Sequence, residues 1–84
     1  MAVKPMNIEV TTDPTLLTDA EGQAGFSALI THRGGAEIRV GNAEETLYRV
    51  RSGESRWLDK LRHNDLWATT AADTADIDVL LVGV

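Results

Sequence analysis

The stretch Phe26-Ser27-Ala28-Leu29-Ile30-Thr31-His32, Arg33-Gly34-Gly35, Ala36-Glu37-Ile38-Arg39-Val40 decides the fold class. Phe26, Ala28 and Ile30 recur at a period of two, and Ile38 and Val40 resume that period with Glu37 and Arg39 between them. Side chains of a strand point alternately to its two faces, so this alternation describes half-buried strands over 26–32 and 36–40. Glycine tolerates the positive φ that tight turns demand, and Arg33-Gly34-Gly35 therefore reads as a hairpin turn between them.

The same period extends in both directions. Ile8-Glu9-Val10-Thr11-Thr12 is alternating and rich in β-branched residues, and predicts a first strand that Asp13-Pro14 stops. Residues 1–7 read as an extended N-terminal arm. Residues 13–25 read as a long loop with at most one helical turn, opened by Asp13 and Pro14 and closed by Gly22. Thr18-Asp19-Ala20-Glu21 has the form of a capping box, but Gly22 and Gly25 follow it instead of an apolar helical run. On the other side, Gly41-Asn42 turns into Thr46–Arg51, with Tyr48 and Val50 facing in and Arg49 and Arg51 facing out. After a turn at Ser52-Gly53, residues 55–61 read as a strand, although their spacing also fits two turns of amphipathic helix. Asn64-Asp65 turns into Leu66–Thr70, Ala71–Ala75 is a loop, and Asp76–Val84 closes the chain. About seven short strands, evenly punctuated and without an internal repeat, predict one all-β domain over 1–84: a small antiparallel β-sandwich or barrel.

Composition narrows the function. The 84 residues contain no cysteine, which removes disulfides, thiolate metal sites and thiol nucleophiles. The longest apolar run, Val79-Leu80-Leu81-Val82, is far too short to span a bilayer, and the N-terminus has no apolar signal core. These features predict a soluble protein that is not exported by the usual route. A net charge of −5 argues against nucleic acid as a partner. That charge is unevenly spread: 1–48 carries −4, 49–62 carries +3 and 63–84 carries −4. Arg49, Arg51, Arg56 and Arg62 thus form a basic segment between two acidic ones. The plain reading pairs them with nearby carboxylates such as Glu44 and Glu45; the functional reading docks them on acidic groups of a neighbour.

Catalytic patterns are missing. His32 and His63 share no ligand spacing and read as turn histidines facing solvent. No Gly-x-Ser-x-Gly elbow, calcium loop or phosphate-binding glycine loop occurs. Asp76 and Asp78 alternate with Ile77 and Val79 as the outward residues of a strand do. The expectation is a protein without enzymatic activity, cofactor or metal. Trp57 and Trp67 admit two readings, a sugar-stacking platform or the filling of a core or an oligomer contact. By alternation Trp57 shares a face with Leu61, and Trp67 lies opposite Leu66 and Ala68.

The last strand carries apolar residues on both faces. Ile77, Val79 and Leu81 form one side with Gly83; Leu80, Val82 and Val84 form the other with Asp78. A sandwich strand needs only one apolar side, so Leu80, Val82 and Val84 predict burial against a neighbouring subunit or its N-terminal arm. The plain reading is a strand that twists over a closed barrel or lies under the 13–25 loop.

Taken in order, Phe26–Thr31, Ile38-Arg39-Val40-Gly41, Val50-Arg51-Ser52-Gly53-Glu54-Ser55, Asp65-Leu66-Trp67-Ala68 and Asp78-Val79-Leu80-Leu81-Val82 resemble small β-sandwich proteins of tailed bacteriophages. The resemblance covers about residues 26–84 and departs from that pattern at His32 and Arg33. It implies a non-enzymatic, multimeric accessory protein of the virion, assembled in the host cytoplasm. The foremost such role is capsid decoration, or cement: binding between coat subunits and adding contact area. Arg49, Arg51, Arg56, Arg62, Leu80, Val82 and Val84 are then the expected contacts to coat or to a second copy. A carbohydrate-binding sandwich using Trp57 and Trp67, and a tail or head–tail connector component, are the alternatives.

Overall fold

The computed structural model describes residues 3–19, 24–42 and 44–84. Among the described residues eight strands follow one another: β1 (Val3–Val10), β2 (Thr15–Leu16), β3 (Ala24–Gly35), β4 (Ile38–Gly41), β5 (Thr46–Val50), β6 (Ser55–Arg62), β7 (Trp67–Thr70) and β8 (Ala75–Val82). They form two four-stranded antiparallel sheets. The long sheet has the order β1-β8-β3-β6 and the short sheet β2-β7-β4-β5. Pairs nest from the outside in, β1 with β8, β2 with β7, β3 with β6 and β4 with β5. The chain is therefore a single long antiparallel ribbon rolled up on itself, the jelly-roll form of the β-sandwich.

Alternation explains the core. Phe26, Ala28 and Ile30 of β3, Ile38 and Val40 of β4, Val50 of β5 and Ile77, Val79 and Leu81 of β8 are buried between the sheets. The segment 55–61 is strand and not helix, since β6 pairs along β3.

Several expectations are corrected. Residues 3–7 are not a free arm: they are the first half of β1 and pair with β8, from Val3 opposite Val82 to Asn7 opposite Asp78. Residues 1 and 2 of that expected arm lie outside the described residues. The expected loop over 13–25 contains β2, an eighth strand, and no helical turn over 13–19. Its Leu17 and Thr18 are fully buried: the Leu17 amide donates to the Leu66 carbonyl at 2.8 Å, and the Thr18 hydroxyl accepts from the Leu66 amide at 3.1 Å. The expected capping residues Ala20 and Glu21, and the stop at Gly22, fall outside the described residues.

Arg33-Gly34-Gly35 is not a hairpin turn. β3 continues through it beside β8, with Gly35 opposite Ala75, and the chain then crosses to the short sheet. Gly35 makes the crossing with φ +100°, so close to the backbone that a Cβ there would stand 2.5 Å from the Thr74 carbonyl oxygen. His32 falls on the inner parity of β3 and is 1% exposed instead of facing solvent. Its Nε2 lies 2.6 Å from the Ala36 carbonyl oxygen.

Candidate functional site

The registers of β1, β8, β3 and β6 align their outward residues into rows across the long sheet. Pro5 is opposite Leu80, Leu80 opposite Leu29, and Leu29 opposite Trp57. One apolar row thus crosses all four strands. Beside it, Val3 is opposite Val82. Val3 is 58% exposed and Trp57 52%, while Leu29, Leu80 and Val82 are half-buried. A shallow groove of about 460 Å³ runs along Pro5, Asn7, Leu29, Thr31, Asp78 and Leu80. A solvated sheet face ordinarily carries polar residues at such positions, so this band is the feature that asks for a covering surface.

Polar groups fix both margins of the band. On one side the Asn7 amide donates to Asp76 at 2.8 Å and to Asp78 at 2.9 Å, and Arg33 pairs with Asp78 at 3.4 Å. On the other, Asp59 accepts from the Trp57 indole N–H at 3.0 Å and from the Ser27 hydroxyl at 2.7 Å. Asp59 thereby orients the largest ring of the band.

The residues expected to make contacts separate into groups. Leu80 and Val82 belong to the band. Val84 does not, since Gly83 takes φ +89°, breaks the alternation and returns Val84 against the core. Trp57 and Leu61, read as neighbours on one face, lie on opposite faces. Lys60 adopts φ 59° at a bulge where Leu58 faces Ala28 and Leu61 faces Phe26, so one extra residue reverses the parity. Trp67 lies on the outer side of the short sheet, with its indole N–H donating to the Asn64 carbonyl at 3.0 Å. The two tryptophans therefore share no platform.

The arginines do not converge on the band. Arg49 and Arg51, beside the outer face of the short sheet, both pair with Glu37, at 3.6 and 3.2 Å. Arg56 pairs with Glu54 at 3.2 Å. The Arg51 backbone N–H, donating to Glu54 at 2.7 Å, does most to hold the Glu54 carboxyl below its ordinary range, and the Arg56 guanidinium adds to this. Arg62 is exposed at the end of β6, where its backbone N–H donates to Asp65 at 2.7 Å.

A second apolar concavity opens between the sheets where β5 and β6 form their edges. It measures about 270 Å³ and is walled by Val40, Val50, Leu58 and Leu66, with Tyr48 and Arg56 at its rim. Tyr48 does share the inner side of its strand with Val50, but the long sheet does not reach over it, and it is 78% exposed. Sequence alternation finds the side of Tyr48 and misses its exposure, because exposure here depends on which strands are edges. Among the described residues, no group of three histidine or carboxylate side chains is placed to hold a metal ion. The chain matches no protein family, no curated protein and no solved structure.

Proposed function

We propose that this chain is a non-enzymatic structural protein of a tailed-phage virion, a capsid decoration protein that docks through the outer face of its long sheet. The observation that carries the reading is the apolar row Pro5–Leu80–Leu29–Trp57 with Val3 and Val82 beside it. Such a band gains free energy when covered, at roughly 25 cal/mol per Å² of apolar surface removed from water. Many copies on a lattice would add that contact area at every coat junction. The resemblance of residues 26–84 to small phage β-sandwich proteins supplies the setting. Arg49, Arg51 and Arg56 have internal carboxylate partners and lie away from the band, so the band holds the contact and the arginines orient the approach. The carbohydrate reading keeps only Trp57, because Trp67 is on the other sheet. A connector role differs in location alone, which electron micrographs of intact particles would show.

The test is co-sedimentation of purified protein with undecorated capsids. Wild-type protein is expected to pellet with the shells, and Leu80→Glu, which places a carboxylate in the middle of the row, is expected to remain in the supernatant while keeping its β-sheet circular dichroism. Absence of wild-type protein from the capsid pellet, or equal pelleting of Leu80→Glu, would overturn the reading.

A further inference from the structure

Exposed sheet edges present unpaired N–H and C=O groups, and stable monomers obstruct them. The four edges here are obstructed to different degrees. β1 carries Pro5, which cannot donate to a neighbouring strand. β2 is two residues long. β6 is bent by the bulge at Lys60. β5 carries a bulge of its own, since Thr46 and Tyr48 span the single step from Gly41 to Val40 of β4. Between Thr46 and Val50, however, it has no proline and no residue of positive φ, and among the described residues no strand flanks its outer side.

Two further observations lie beside that edge. The inter-sheet cleft opens next to it, with Tyr48 exposed at the mouth. The charge along β5 is also polar. Glu44 and Glu45 precede the strand and make no ion pair among the described residues. Arg49 and Arg51 sit at its other end, share the single carboxylate of Glu37, and leave that end positive. Antiparallel pairing of β5 with its own copy sets each acidic end against the other's basic end.

We propose that two copies of this chain pair β5 against β5 around a two-fold axis at Tyr48. The two short sheets then join into one continuous eight-stranded sheet. The two Tyr48 rings meet over the clefts, and Glu45 of each copy falls opposite Arg51 of the other, diagonal to Arg49. A two-fold is the natural symmetry of an antiparallel self-pair. This interface is separate from the apolar band of the long sheet and does not depend on the virion reading.

The purified chain tests it without capsids. Sedimentation equilibrium is expected to show a concentration-dependent species of twice the 9.1 kDa chain mass, weakened by salt. Tyr48→Lys sets like charges directly opposite across the axis and is expected to lower the association constant about tenfold or more. Because the chain has no cysteine, Tyr48→Cys carries a single thiol and is expected to oxidise to a covalent dimer much faster than Trp57→Cys. The proposal is overturned by a wild-type protein that stays monomeric at all concentrations, or by a dimer that Tyr48→Lys leaves intact. Equal cross-linking of the two cysteine variants does the same, and greater cross-linking at residue 57 would move self-association to the long sheet. Capture of β5 by a strand of a different protein would appear as a wild-type monomer.

Discussion

Gly35 and Gly53 both hold positive φ, at +100° and +86°, yet they differ in what surrounds them. At Gly53 no atom stands within 4 Å of a built Cβ, so alanine there meets only the conformational penalty of the left-handed region. At Gly35 the Thr74 carbonyl oxygen and the Ala75 backbone occupy the space. Gly53→Ala is expected to lower unfolding free energy by about 1 kcal/mol. Gly35→Ala is expected to lower it by about 2–4 kcal/mol, because the crossing between sheets must also shift. Urea denaturation of both variants checks the difference, and equal losses would mean that the crossing is free to relax. The same conformational freedom explains where alternation misleads at single residues. Gly83 and Lys60 each reverse the parity of the residues after them, which takes Val84 out of the outward row and separates Trp57 from Leu61.

At the scale of the element, β8 shows how far a sequence can be read and where it stops. Its two apolar faces are plain from Ile77, Val79 and Leu81 against Leu80 and Val82, and the structure puts the first set in the core. Most of the strands are similarly legible from turn residues and alternation, but β2, the first half of β1 and the continuation of β3 through Arg33-Gly34-Gly35 are not. The assignment of strands to sheets is not legible either, because β3 pairs with β8 and β6, tens of residues away, and no local pattern encodes that choice. Two of the six residues of the candidate band, Leu80 and Val82, are therefore readable, while Val3, Pro5, Leu29 and Trp57 join it only through register. The two faces of β8 should respond differently to truncation. Leu81→Ala is expected to cost about 2–5 kcal/mol by opening a cavity, and Leu80→Ala within about 1 kcal/mol, with its larger effect on partner binding. Thermal denaturation of both variants measures this, and a comparable loss at Leu80 would show that the outer face is buried within one chain.

The whole molecule is a ribbon closed by its first and last strands, and Val3 opposite Val82 sets their free ends at the same end of the ladder. That arrangement gives the fold a directional mechanical response. Tension applied at Val3 and Val84 opens the β1–β8 ladder one pair at a time, each step resisted by a hydrogen bond worth only about 1 kcal/mol net. Tension applied at Asp13 and Val84 instead slides β8 along β1 and loads all eight registered pairs together. Single-molecule pulling through cysteine handles at those two pairs of positions is expected to give a lower rupture force for the first geometry. Equal forces would mean that β1 peels away before the ladder bears load. A protein built this way yields when drawn out by its ends and resists when strained across its sheets.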